Sequence, residues 1–89
     1  MVYVDDMYKY PIGQFGRMKM SHMVADKRSE LLDMADKIGL NRMWLQHPES
    51  PSRIHFDVSM SLRRKAVAAG AREIAYMDLP KYHRVTEMD

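Results

Sequence analysis

The tripeptide His55-Phe56-Asp57 places an imidazole and a carboxylate two residues apart. In an extended backbone such side chains project to the same side, so His55 and Asp57 would share one site while Phe56 points into the core. An imidazole held beside a carboxylate can act as an oriented general base or supply two ligands to a metal ion. A salt-bridged loop accounts for the same spacing equally well, so both interpretations stay open.

Two acidic residues and a second histidine add to this chemistry. Asp5 and Asp6 follow the β-favouring run 2–4, but adjacent side chains of a strand point to opposite faces, so both reach one site only if the chain bends. His22 is a candidate acid–base group, with a helix cap or a core edge as the alternative. We expect His22, His55 and Asp57 to act in catalysis, and Asp5, His55 and Asp57 to be ligands of a divalent metal.

Arg63 falls in the first turn of a predicted helix, where unpaired backbone N–H groups and the helix dipole favour an anion. A guanidinium there could hold a phosphate through two hydrogen bonds. The basic run 63–65 is also typical of a solvated helix face, which is the alternative. The expected ligand is an anionic small molecule such as a nucleotide. The expected ligand-binding residues are Asp5, Asp6, Gln46, Ser61 and Arg63.

Two helices are predicted from apolar residues at positions i, i+4 and i+7. The first runs from about 27 to 38, with Asp26 as its N-cap and Gly39 after its end. The second runs from about 62 to 69, with Ser59 or Ser61 as its N-cap and Gly70 as its stop. The two apolar stripes are Leu31, Ala35 and Ile38 in the first helix, and Leu62, Ala66 and Ala69 in the second.

Three strands are predicted at 2–4, 43–45 and 73–77, with Trp44 in the core, and 7–20 is predicted as an irregular loop with a short extended piece at its end. A shift of 31 residues superposes the two helix–glycine–strand units, which gives the order βαβαβ. Right-handed crossovers then make an α/β fold with a three-stranded, mostly parallel sheet and two helices, a Rossmann-like fragment. Ligands bind at the carboxyl ends of such strands, where the polar residues named above would gather.

The composition limits the domain organisation and the environment. Eighty-nine residues are enough for one domain, predicted at 1–78 with a flexible tail at 79–89. The core of so short a chain is thin, which favours a homodimer. The chain has no cysteine, which suits the cytoplasm and excludes a thiolate site. No segment is long and apolar enough for a membrane. A net charge of +2 is too small for a dedicated nucleic-acid binder, although it does not exclude one.

Several segments occur in an order typical of one family. They are Tyr3-Val4-Asp5-Asp6, Phe15-Gly16-Arg17-Met18, Ser21-His22-Met23, Trp44-Leu45-Gln46, His55-Phe56-Asp57, Ser61 with Arg63, and 66–71. Over residues 2–75 the chain resembles an uncharacterised domain family of bacteria and their phages, domain of unknown function 4031. The resemblance implies motif positions at Asp5, Asp6, His22, Asp26, Trp44, Gln46, His55, Asp57, Ser61 and Arg63.

The chain departs from this pattern at Leu62, where we would expect a lysine, and this argues against a phosphate clamp made of two cations. The phage association implies a place in the host cytoplasm and a role in manipulating the host or countering its defences. We therefore carry three functions forward. The first is a metal-dependent phosphoester hydrolase, and the second is a non-catalytic nucleotide-binding protein that sequesters its ligand. The third is a protein–protein inhibitor or adaptor that uses the ten methionines as an adaptable surface.

Overall fold

The computed structural model describes residues 1–88, which form a mixed α/β domain with five strands and three helices. Strand β3 is the longest and lies at the centre of the sheet, where it pairs with β1, β2 and β4, while β5 pairs with β1. The strands are β1 (Val2–Val4), β2 (Gln14–Phe15), β3 (Met18–Ala25), β4 (Phe56–Ser59) and β5 (Arg72–Glu73).

The two predicted helices are confirmed, with shifted ends. Helix α1 spans Arg28–Ile38, and its N-cap position is Lys27 instead of Asp26, with no capping hydrogen bond from a side chain. It ends at Gly39, which adopts a left-handed conformation (φ 80°). Helix α2 spans Met60–Ala68 and begins at Ser59, whose hydroxyl accepts a hydrogen bond from the N–H of Leu62. A short third helix, α3, covers Leu79–Tyr82.

The predicted parallel sheet is wrong, and a Rossmann-like fragment is not confirmed. Strand β3 is antiparallel to β1, β2 and β4, and the pair β1–β5 is parallel. The cause lies in the segment that we predicted as a loop. The chain reverses at Gly16 (φ 62°) between β2 and β3, and β3 then returns beside β1 after two 3₁₀ turns (Met7–Lys9 and Pro11–Gly13) and no α-helix. A hairpin return of this kind produces antiparallel pairing, whereas parallel pairing needs a crossover.

The predicted second and third strands are also corrected. Residues Arg42–Trp44 form a 3₁₀ turn in which the side chain of Asn41 accepts a hydrogen bond from the N–H of Met43. Trp44 therefore does not enter the core, and 64% of its surface is exposed. The predicted strand 73–77 is limited to Arg72–Glu73, after which the chain turns again at Tyr76–Asp78.

The core lies between the sheet and helices α1 and α2. Its largest fully buried side chains include Phe56 and Val58 of β4, Met23 of β3 and Leu31 of α1. In β4 the buried side chains alternate with partly exposed ones, so one face of the strand packs against the core while Asp57 and Ser59 lie on the other.

Residues 79–88 pack against the domain, which differs from the expected flexible tail. Val85 is buried, and its N–H donates to the carbonyl of Pro51. The ring of Tyr82 lies 4.7 Å from that of Tyr3. Asp89, the last residue of the predicted tail, lies outside the described residues. Within 1–88, no helix has the length and apolar character needed to cross a membrane.

Candidate functional site

The pairing of β3 with β4 brings three of the predicted residues to one face of the sheet. In this antiparallel register His22 lies directly opposite Asp57. Opposite residues of such a pair have their side chains within about 5.5 Å of each other. His55 lies two residues before Asp57 and therefore on the same face, as the spacing of the tripeptide predicts.

These three side chains form a group with the dimensions of a metal site. Each offers one potential ligand atom, and the three atoms lie within 4.8 Å of one another. His55 Nε2 is 3.5 Å from Asp57 Oδ1. Two ligands of a tetrahedral zinc ion, each about 2.0–2.1 Å from the metal, are about 3.3 Å apart, so this distance requires almost no adjustment.

Asp5 orients the His22 ring through a contact with its Nδ1 atom. Its side chain is fully buried, and Oδ2 lies 2.7 Å from His22 Nδ1. The other oxygen, Oδ1, accepts hydrogen bonds from the backbone N–H groups of His22 (2.9 Å) and Met7 (3.1 Å). Because a carboxylate only accepts hydrogen bonds, Nδ1 of His22 carries the proton and Nε2 keeps the lone pair that a metal needs. This carboxylate–imidazole arrangement is typical of the residues that support metal ligands.

His55 and Asp57 are held by comparable supporting contacts. His55 Nδ1 donates to the carbonyl oxygen of Arg53 at 2.7 Å, which leaves Nε2 directed to Asp57. Gln46 forms an isolated antiparallel bridge with His55, and its side-chain amide donates to Asp57 Oδ2 at 2.6 Å. The ring nitrogens of both site histidines therefore have their proton positions set by fixed acceptors.

Burial and the neighbouring charges shift the pKa values of His55 and Asp57 in opposite directions. Burial lowers the pKa of His55, but its hydrogen bonds to Asp57 and to the Arg53 carbonyl, with the charges of Asp57 and Asp5, leave that pKa above its ordinary value. Burial raises the pKa of Asp57, but hydrogen bonds from His55 and Gln46 and the charge of His55 leave it below its ordinary value. The proton on His55 is one that a bound cation displaces, since metal ligands bind in their deprotonated forms.

All four histidines of the chain lie around this site, and of these the sequence analysis did not anticipate His83. The ring of His55 is 5.1 Å from that of His22, 6.0 Å from that of His47 and 5.7 Å from that of His83. Tyr76 was also missed, and its ring stacks on His22 at 5.9 Å with an angle of 11°. Neither His83 nor Tyr76 has a signal in the local sequence, because long-range packing brings both to the site.

The remaining predicted residues lie outside the three-residue group. Asp6 accepts a hydrogen bond from the N–H of Tyr76 at 2.6 Å and so fixes the segment that carries the ring stacked on His22. Ser61 is exposed, and its hydroxyl lies 3.2 Å from that of Ser59. Asp26 accepts a hydrogen bond from the hydroxyl of Tyr3. Asp5, predicted as a metal ligand, acts instead as the partner of His22 in this geometry.

Arg63 is buried, and two of its three nitrogen atoms donate hydrogen bonds within the domain. Nε donates to the backbone carbonyl of Asp5 at 2.9 Å, and Nη1 donates to Glu73 Oε1 at 2.9 Å. The guanidinium also lies over the ring of Tyr8, 4.9 Å from its centre. This arrangement fixes the backbone of Asp5 and gives Arg63 a supporting position where the sequence suggested a phosphate contact.

The arrangement can therefore hold a divalent transition metal through two imidazoles and one carboxylate. Three protein ligands leave at least one coordination position for water or substrate, which distinguishes catalytic from structural zinc sites. The site is accessible from solvent, because the side chains of His22, His55 and Asp57 are 19%, 12% and 21% exposed.

Comparisons with known proteins identify the family but no activity. No curated protein and no solved structure matches the chain. One family model, described as protein of unknown function (DUF4031), matches residues 2–86 and so includes every residue of the site. The chain belongs to the domain of unknown function 4031 family.

Proposed function

We propose that this protein is a metal-dependent hydrolase that acts on a phosphoester. The observation that supports the proposal most strongly is the group of His22, His55 and Asp57, with potential ligand atoms within 4.8 Å of one another. Each histidine donates its Nδ1 proton to a fixed acceptor, so Nε2 is the atom that each would offer to a metal. Metal-binding histidines almost always donate their other ring N–H to such an acceptor.

A divalent ion bound there would supply a water molecule whose pKa is lowered to about 7, and a positive charge beside the scissile group. His22, His55 and Asp57 fix the direction of the open coordination position. Asp5, Gln46 and the Arg53 carbonyl prevent rotation of these side chains. In the reaction the water oxygen bonds to phosphorus, the phosphorus–oxygen bond to the alcohol breaks, and the leaving alkoxide takes up a proton.

Cationic groups on the hairpin β2–β3 favour a phosphate-containing substrate over a neutral one. Arg17 and Lys19, from the hairpin β2–β3, border a cavity that also includes Ser59, two residues beyond Asp57 in β4. The chain as a whole has a net charge of +2. These charges would raise the local concentration of an anionic substrate and would do so less at high salt.

The test combines metal titration with turnover. Calorimetric titration of the chelator-treated protein with Zn²⁺ or Mn²⁺ is expected to show one ion per chain. The metal-loaded protein is then expected to hydrolyse members of a panel of phosphomonoesters and phosphodiesters. Asp57→Asn is expected to lose both properties. His47→Gln is the matched control, since His47 lies beside His55 but outside the three-residue group, and it is expected to keep both.

Two results would contradict the proposal in different ways. Failure to bind any metal would refute the metal site and the hydrolase proposal that depends on it. Metal and ligand binding without turnover of any phosphoester would refute hydrolysis and favour a protein that sequesters its ligand. In that case the ligand would raise the melting temperature of the metal-loaded protein, because ligands that bind the native state stabilise it.

A further inference from the structure

An apolar groove adjoins the candidate metal site. It has a volume of about 450 Å³, which lies within the range of pockets for small molecules. Asp57 and Gln46 form one part of its wall, so the groove opens directly on the metal-binding face. The apolar part of the wall consists of Met18, Met20, Leu40, Trp44 and Leu62.

Trp44 is the feature of this groove that most needs an explanation. It is the only tryptophan of the chain, yet 64% of its surface is exposed. The 3₁₀ turn Arg42–Trp44 presents it at the surface, and an ion pair between Arg42 and Asp36 at the end of α1 holds this turn in place. An exposed indole fixed beside a polar site provides a flat surface on which an aromatic ring can stack.

A second cavity with cationic side chains adjoins the groove. Met18 and Ser59 separate the groove from a second cavity of about 390 Å³, which they also line. Arg17 and Lys19 border this second cavity together with Ser61. A ligand that fits the groove therefore needs a flat apolar part near Trp44 and, near Asp57, an anionic part that a metal at the site would bind.

We infer that the groove binds a mononucleotide, with the base stacked on Trp44 and the phosphate at the site formed by His22, His55 and Asp57. This inference deepens the proposed function and rests on it for the position of the phosphate. The base contact itself does not require the metal. A nucleotide combines the required parts in one molecule, and base–aromatic stacking tolerates any of the four bases.

Because Trp44 is the only tryptophan, its fluorescence measures the contact directly. Adenosine 5′-monophosphate is expected to quench this fluorescence in a saturable manner, whereas ribose 5-phosphate, which lacks the base, is not. By calorimetry on the metal-free protein, in which no hydrolysis is expected, Trp44→Ala is expected to weaken binding of adenosine 5′-monophosphate by roughly 5- to 150-fold, the range that corresponds to loss of one stacking contact. Its binding of ribose 5-phosphate is expected to stay unchanged.

Met43→Ala is the matched control. Met43 is the neighbouring residue and is more exposed than Trp44, but it does not line the groove. Equal loss in Met43→Ala and Trp44→Ala would indicate a disturbed turn and would overturn the base contact. Equal affinity of the unaltered protein for the two phosphates would overturn it as well, as would a dimer in which Trp44 is covered and nucleotide causes no quenching.

These outcomes are distinguishable from failure of the proposed function. If the metal binds and phosphoesters are hydrolysed with no preference for those that carry a base, the hydrolase proposal stands and the nucleotide inference is refuted. If no metal binds, the hydrolase proposal is refuted. The base contact then stands or falls on quenching by adenosine, which the metal-free protein is still expected to show.

Discussion

Replacing Asp5 by asparagine tests whether the buried carboxylate sets the metal-binding form of His22. The amide oxygen that this substitution introduces can still accept the hydrogen bonds that Met7 and His22 donate from their backbones to Oδ1. The amide NH₂ group would then replace Oδ2, which lies 2.7 Å from His22 Nδ1. Since NH₂ only donates, Nδ1 must become the acceptor and the proton of the neutral ring must move to Nε2, the atom that would bind the metal.

The expected result is weaker metal binding in a protein that still folds. Loss of such a supporting partner typically reduces metal affinity by about 10- to 100-fold, which corresponds to about 1.4–2.7 kcal/mol. Calorimetric titration with Zn²⁺ at pH 7.5 measures this change. A melting temperature recorded without metal shows whether the variant remains folded under the same conditions.

Asp6→Asn is the matched control for this experiment. Asp6 is the adjacent carboxylate, but it bonds to the N–H of Tyr76 and pairs with Lys9 at 3.6 Å, and it makes no contact with His22 Nδ1. We expect its metal affinity to equal that of the unaltered protein. Unchanged affinity in Asp5→Asn, or an equal loss in both variants, would refute the role assigned to Asp5.

Three further predictions concern stability. Burial lowers the pKa of His83, as do the charges of His55 and His22, against its hydrogen bond to the Ile54 carbonyl. The native state therefore binds fewer protons than the unfolded chain below about pH 6.5, so stability falls as the pH drops. In urea denaturation without metal, the free energy of unfolding of His83→Gln should fall less between pH 7.5 and 5.5 than that of the unaltered protein. An identical pH dependence of the two proteins would contradict this. Gly13→Ala should lower the free energy of unfolding by about 1–3 kcal/mol or more, because its Cβ would lie 2.3 Å from the Met7 carbonyl oxygen; a stable variant would show that this turn can move. Arg63→Met should lower the free energy of unfolding by about 1–3 kcal/mol, because it leaves the buried Asp5 carbonyl unpaired. The exposed control Arg64→Met should change it by less than about 0.5 kcal/mol. Equal effects of the two substitutions would contradict the burial argument.

The helices were predictable because their signals are local. Leu31, Ala35 and Ile38 are spaced for one buried face, and Gly39 takes the left-handed conformation that ends α1. The sheet was not predictable in the same way. Strand pairing depends on the direction in which the chain returns. The reversal at Gly16 lies in a segment whose proline and glycine residues made it look like an irregular loop. Trp44 was misplaced for a related reason, since a β-favouring run without a pairing partner adopts a turn.

The candidate site also has one part that local sequence predicts and one part that depends on tertiary pairing. The shared face of His55 and Asp57 follows from their spacing of two residues, and it survives the change from a parallel to an antiparallel sheet. That His22 lies opposite Asp57 depends on the register between β3 and β4, which no local pattern encodes. Burial of Arg63 also depends on tertiary packing, so a basic residue in the first turn of α2 resembled an anion site when the sequence was considered alone.

The most direct test of the central claim is a crystal structure of the protein soaked with Zn²⁺, with the ion located by anomalous scattering. The account predicts one strong peak about 2.0–2.2 Å from Nε2 of His22, Nε2 of His55 and a carboxylate oxygen of Asp57. The hydrogen bond between Asp5 and His22 Nδ1 is expected to remain. No peak among these three residues, or a zinc ion bound through Nδ1 of His22 with Asp5 displaced, would contradict it.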